Sequence, residues 1–305
     1  MRINPDRFVK VLGPAPKPRD VWQKQFDYND RALVEMAQMD WDRVPDDYMW
    51  YYLLDLAYVE LQPDLFRHLF PACLKFWYET LMRDDSAAYG DSDFHYSLMQ
   101  GEILKTMLAE SERQSLYDLF CDGMLDRIEA ERGFVCSEAQ TQEPLVRRAR
   151  NADLWILRLN TLGIVAPVIR RIWEPWWKVD HPGRAVSAVT YASGLVYLAE
   201  ENPLFGGWRA AGRGGGGPFL TEIDSSIFDW AWREDNLAFL RGVLSVDYVI
   251  AKLEQSATVL SDCPESTLAQ RVTNDAKTRR DIIEIRIDDL LENLSKVQHL
   301  KQRWE

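Results

Sequence analysis

Asp64 and His68 stand four residues apart in a stretch with helical periodicity, so both side chains fall on one face. Asp93, His95 and Glu102 follow on or near the next helical stretch. If the two helices met, these carboxylates and imidazoles would offer a metal-binding set. No His-Glu-x-x-His or comparable compact motif accompanies them. A histidine hydrogen-bonded to a nearby carboxylate accounts for the same residues, and no metal or other cofactor is expected. The run Gly212-Arg213-Gly214-Gly215-Gly216-Gly217-Pro218 invites a phosphate-loop reading, but it lacks the Gly-Lys-Ser/Thr ending and no strand precedes it. A flexible loop over 206–218 is the expectation. No Gly-x-Ser-x-Gly elbow occurs, and Cys73, Cys121, Cys136 and Cys263 are scattered without a Cys-x-x-Cys pair. No catalytic residue is assigned. Unpaired cysteines without metal spacing point to a reducing, cytoplasmic setting.

Charge is unevenly placed. The net charge is −12 over 305 residues. Residues 1–143 hold 27 acidic and 15 basic residues, which accounts for all of it, and residues 144–305 hold 21 of each. An acidic surface repels nucleic acid and anionic membranes and attracts basic proteins at rates that fall with salt. Acid that merely keeps the lobe soluble gives the same count. Six arginines between Arg147 and Arg171, against Asp153 alone, form a basic patch expected to pair with acidic groups inside the molecule rather than with phosphates.

The elements that must position these groups read as helices throughout. Pro45 suits a first helical position, with Asp46 and Asp47 in the first turn. Apolar residues then cover most of the circumference from Tyr48 to Leu61, the pattern of a helix buried on several sides. Pro63 and Asp64 open a second helix, which Pro71 should kink or restart. Together, residues 45–83 form a helical hairpin at the heart of the N-terminal lobe. Ahead of it, Pro14-Ala15-Pro16-Lys17-Pro18 is an extended arm, and Leu33, Met36 and Ala37 mark a short amphipathic helix capped by Asn29 or Asp30. Ser111-Glu112-Arg113-Gln114 fits a capping box.

Residues 137–143 are polar and serve as the expected boundary between an acidic lobe, 1–136, and a charge-neutral lobe, 144–305. His181-Pro182-Gly183 reads as a turn, and 185–198 as a tightly packed helix, with Val189-Thr190-Tyr191 also compatible with a strand. Asp224 or Ser225 can cap a helix through Ile227, Phe228 and Trp230. Trp176 and Trp177 are either core or an exposed interface hot spot. After Pro264 a long charged helix carries an apolar seam of Ile283, Ile287, Leu290, Leu294, Val297 and Trp304. That seam packs on the body or pairs with a second copy as a homodimer. The expectation is an all-α, irregular multi-helix bundle in two packed lobes with a long C-terminal helix. The N-terminus has no apolar segment of the secretory kind, and the window 154–173 contains Arg158, Asn160, Arg170 and Arg171, too polar for a membrane span.

The segment Asp64-Leu65-Phe66-Arg67-His68-Leu69-Phe70-Pro71-Ala72-Cys73-Leu74, followed by Ser111-Glu112-Arg113-Gln114, resembles a class of bacterial helical proteins. In these a Phe-x-x-x-Leu-Pro-Ala-like element precedes a Ser/Thr-x-x-Gln helix. Phe70 stands where leucine is more usual, and the resemblance spans residues 45–130 at most. Such proteins are similar to immunity proteins of polymorphic toxins. The resemblance implies a protein-binding inhibitor whose acidic lobe covers a toxin's basic active-site cleft. Asp40, Trp41, Asp42, Asp46 and Asp47, with Asp84, Asp85, Asp91 and Asp93, are the expected contact residues. Two other readings stay open: a structural or adaptor homo-oligomer, and a metal-dependent enzyme built on the Asp64/His68/His95/Glu102 group.

Overall fold

The structure, a computed structural model, describes residues 3–82, 90–131, 133, 155–197, 201–204 and 231–296, with the side chains of 90–93 excepted. Every regular element among the described residues is a helix, and none is a strand. The chain is all-α, a multi-helix bundle. Its contacts group into two units: residues 2–83 with 87–123, and 124–305. The 137–143 stretch and the 206–218 loop lie outside the described residues, as do Asp224, Ser225 and the helix they would cap.

The first unit is arranged around α4 (Pro63–Met82). Against it pack α1 (Asp6–Leu12), α2 (Asp30–Gln38), α3 (Asp46–Tyr58), α5 (Gly90–Gln100) and a 3-10 turn over Trp41–Arg43. Fourteen residues of α4 are buried, among them Phe66, Phe70, Leu74 and Trp77, so every side of it meets a neighbour. Pro71 sits inside α4 without ending it. The four-residue α6 (Ile103–Thr106) leads into α7 (Glu110–Glu129), which starts one residue before Ser111. Ser111 is therefore not the cap. Glu112 fills the reciprocal half of a capping box, accepting from the Ala109 N–H at 2.8 Å, and Arg67 holds its other oxygen at 2.9 Å. Asn29 precedes α2 but makes no side-chain cap, and the neighbouring Asp30 carboxylate is turned to the Gln25 N–H and Lys24.

Residues 13–29 form the extended arm. Buried polar side chains tie it down. The Gln62 N–H donates to Gln23 Oε1 at 3.0 Å, while Gln62 Oε1 accepts from the Trp22 N–H at 2.8 Å. Asp55, buried on α3, accepts from the Phe26 N–H at 2.8 Å and from Gln23 Nε2 at 3.1 Å. Burial pushes the Asp55 carboxyl up to about 7 against the opposing pull of those two hydrogen bonds, and Asp27 and Asp30 add to the rise. A carboxyl raised in the folded state favours folding below its unfolded pKa of about 4 and loses that contribution as pH climbs through 7. Asp55→Asn mimics the protonated acid, so its urea midpoint should overtake that of the unmodified chain between pH 4 and 8. A gap of constant size across that range would contradict the assignment.

The second unit holds α8 (155–165), α9 (Ile169–Trp176), α10 (Pro182–Val196), α11 (Glu234–Val243), α12 (Val246–Val259), α13 (Ser266–Thr278) and α14 (Arg280–Ser295). At its centre is α10, with thirteen of fifteen residues buried against α12, α13 and α14. Val189-Thr190-Tyr191 is helical, not a strand. His181 caps α10 by accepting the Gly183 N–H on Nδ1 at 3.1 Å, with Pro182 at the first helical position. The last turn of α7 meets this N-terminus closely. A Cβ on Gly183 would stand 2.1 Å from the Glu129 carbonyl oxygen. Ser187 donates to the Ile128 carbonyl at 3.0 Å, and Arg184 pairs with Glu129.

Trp155, Trp173, Trp176 and Trp177 form a buried cluster with Tyr191. Trp176 and Trp177 are thus core and not an interface hot spot. Trp173 stacks on Trp177 at 4.9 Å and donates to the Tyr248 hydroxyl at 3.0 Å. Tyr191 meets the tryptophans edge-on, which sets positive ring edges against negative ring faces.

The long C-terminal helix is two helices. The break falls at Arg279, whose guanidinium lies 5.0 Å from the Tyr197 ring centre and pairs with Glu201 at 2.6 Å. Ile283, Ile287, Leu290 and Leu294 form the expected seam, buried within this unit, so it offers no face to a second copy. Val297 and Trp304 lie outside the described residues.

Candidate protein-interaction surface

The carboxylate–histidine group does not assemble. Asp64 accepts from Gln62 Nε2 and from its neighbour's N–H at the start of α4. His68 directs Nε2 at the Met39 carbonyl, 3.1 Å away. His95 is buried among Trp77, Phe94 and Phe120, where desolvation drives its pKa down to about 3 and keeps the ring neutral. Glu102, at a left-handed φ of 50°, pairs with Lys105 on the surface. No group of three or more His, Cys, Asp or Glu among the described residues could hold a metal. His68 thus meets a backbone carbonyl and His95 an aromatic pocket, so these four residues are not gathered into a metal-binding set.

The basic patch likewise resolves into local roles where it is described. Arg170 pairs with Glu174 one turn on, and Arg158 is buried, with its pKa lowered to about 9 by desolvation. Arg147, Arg148 and Arg150 lie outside the described residues. Cys73 and Cys121 are buried thiols outside any disulfide, with Cys73 pushed well above the usual thiol range by burial.

Of the contact candidates, five fall together in the link from α2 to α3: four aspartates and Trp41. The chain there goes from Asp40 through the 3-10 turn into the first turn of α3, where Asp46 and Asp47 complement the helix dipole. Asp40, Asp42 and Asp47 are exposed. Lys17 pairs with Asp40 at 2.9 Å and holds that carboxyl below its ordinary range. Asp42 and Asp47 make no ion pair among the described residues. Trp41 is half-buried, edge-on to Phe8 at 6.3 Å, and lines a groove of about 300 Å³ with Lys17, Asp40, Arg67 and His68. It is a wall of that groove and not a protruding anchor. Arg67 is engaged by Glu112, so both cations of the groove are already paired. Asp84 and Asp85 lie outside the described residues, and Asp91 and Asp93 are on α5 with side chains outside them.

Sequence reasoning missed the aromatic residues of the same region. Seven of the eight large exposed hydrophobics among the described residues lie between positions 22 and 58: Trp22, Phe26, Tyr28, Val34, Trp50, Tyr51 and Tyr58. The expectation of α3 buried on several sides is corrected here. Its inner face carries Met49, Tyr52, Leu53, Asp55 and Leu56, all buried, and its outer face presents Trp50, Tyr51 and Tyr58 to solvent. Nothing in the all-round apolar pattern marks which side stays open. The arm carries the signal that was available. Trp22, Lys24 and Phe26 point outward while Gln23 and Gln25 are buried, so the extended chain places glutamines inside and aromatics outside. Burying amides and exposing rings reverses the usual preference.

The chain matches no family model, no curated protein and no solved structure.

Proposed function

We propose that this chain is a protein-binding inhibitor whose first unit docks on a basic partner. The reading rests on one coincidence. The segment 20–60, which holds seven exposed large hydrophobics, also holds ten acidic and three basic residues, a net of −7. Exposed aromatic clusters of this kind mark protein–protein contact, and the charge selects a cationic partner and speeds its approach. The resemblance to immunity proteins makes a bacterial toxin domain the partner class, neutralised by covering a basic active-site cleft in the cytoplasm. No described helix is long and apolar enough to cross a membrane, which fits a partner met in solution.

The test is co-purification of the tagged full chain from its native cells at low and high salt, read by mass spectrometry. A stoichiometric basic protein, retained at low salt and depleted at high salt, is the expected result. Recovery of the chain alone at both salt concentrations would remove the reading.

A further inference from the structure

The acidic set around Asp40–Asp47 is one part of the first unit's surface; the aromatic set is another, and its geometry is more specific. On α3, Trp50, Tyr51, Leu54 and Tyr58 recur at helical spacing along the outer face, with Leu54 half-buried and the three aromatics exposed. The helix of thirteen residues is about 20 Å long, so the stripe runs most of its length. Phe26 of the arm stacks on Tyr58 at 4.7 Å, and Tyr58 shares a 2.6 Å hydroxyl contact with Tyr96. The arm is held in this position from beneath by Asp55 and the Gln23–Gln62 pair, so the rings are fixed before any partner arrives. A stripe of this form, with Tyr51, Leu54 and Tyr58 at i, i+3 and i+7 and Trp50 beside them, is one half of a helix–helix contact that receives the apolar face of a second helix.

Charge decides what that second helix is. Asp47 lies at the head of the stripe, Glu60 just past its foot and Asp20 on the arm, all exposed. Lys24, on the outward side of the arm, is paired with Asp30 at 2.9 Å. A second copy of this chain would bring one net-negative face against another. An anionic lipid surface is disfavoured for the same reason. A helix with leucines on one side and arginines or lysines at its margins satisfies both the rings and the carboxylates, with aromatic faces also open to cations.

We infer that the outer face of α3, walled by the arm, is the seat for an amphipathic basic helix of the partner. This rests on the protein-binding reading above and adds to it the contact and the shape of what it holds. Trp50, Tyr58 and Phe26 are the anchors.

The probe is a synthetic 18-residue helical peptide, leucines on one face and arginines on the other, titrated into the full chain by calorimetry. Binding is expected, weakened at least tenfold when the arginines become glutamates and at least tenfold when the leucines become serines. Trp50→Ser with Tyr58→Ser should weaken it at least tenfold, and Trp50→Ser alone, on a residue already exposed, guards against loss of fold when helicity is checked alongside. Absence of binding to the unmodified chain, or equal binding by the folded variants, would overturn the proposal. So would sedimentation showing a dimer of the unmodified chain that the variants lose, because the face would then belong to a second copy. A natural basic partner captured equally by unmodified chain and variants would overturn this seat and leave the protein-binding reading standing. Failure to capture any basic partner would remove that reading, and the peptide titration would still decide the seat.

Discussion

Gly183→Ala is expected to destabilise the second unit by about 3 kcal/mol, the upper range for an overpacked site. The added Cβ would stand 2.1 Å from the Glu129 carbonyl oxygen and 2.7 Å from its carbonyl carbon. Both atoms are backbone, at the end of α7, so no rotamer change relieves the overlap. The two helix ends would have to separate, which would stretch the Ser187 bond to Ile128 and the Arg184–Glu129 pair. Gly242→Ala is the matched control. A Cβ there meets nothing within 4 Å, and the position is helical, so the change should stabilise by about 0.5–1 kcal/mol. Urea midpoints of the two variants should therefore move in opposite directions; a neutral Gly183→Ala would contradict the close approach.

Asn236→Leu should cost about 2–4 kcal/mol although leucine has nearly the same shape. Asn236 is buried at the start of α11, and its amide joins two other helices. Nδ2 donates to the carbonyls of Gly163 and Ala166 at the end of α8, at 2.9 and 2.8 Å. Oδ1 accepts from the Ile169 N–H at the start of α9, at 3.3 Å. One side chain thus serves the orphan groups of a helix C-terminus and a helix N-terminus. Asn236→Asp should be worse than the leucine variant, because a carboxylate would face two carbonyl oxygens and lose both donors. If packing alone mattered, the order would reverse. Thermal unfolding of the two variants, followed by circular dichroism, decides between them.

These two sites show what the sequence could and could not convey. The helical class, the α14 seam and the compact α10 were legible, since each is a local period of apolar or small residues. The bridging role of Asn236 was not, because its partners lie about 70 residues away. The break at Arg279 was hidden within a periodic stretch, and the partners of Arg279 there, Tyr197 and Glu201, lie about 80 residues away in the chain. His68 and His95 suggested chemistry by type and spacing alone; only their surroundings show a carbonyl partner for one and an aromatic cage for the other.

The candidate surface divides in the same way. The acid was visible in the composition, and the link from Asp40 to Asp47 does gather it. Trp41, named as a contact, is half-buried against Phe8. The open aromatic face of α3 was obscured because a helix apolar on every side looks like a buried one. Only the arm, with glutamines turned in and aromatics turned out, left a readable mark, and reading it requires knowing that the segment lies flat on the unit.

The most direct measurement is the association rate of the captured basic partner with the full chain across a salt series, for the unmodified protein and for Asp42→Lys with Asp46→Lys and Asp47→Lys. Attraction by the acidic segment predicts an association rate that falls steeply with salt, and a triple variant that binds at least tenfold more slowly at low salt while converging at high salt. Rates equal at every salt concentration would contradict the claim that this face recognises its partner through charge.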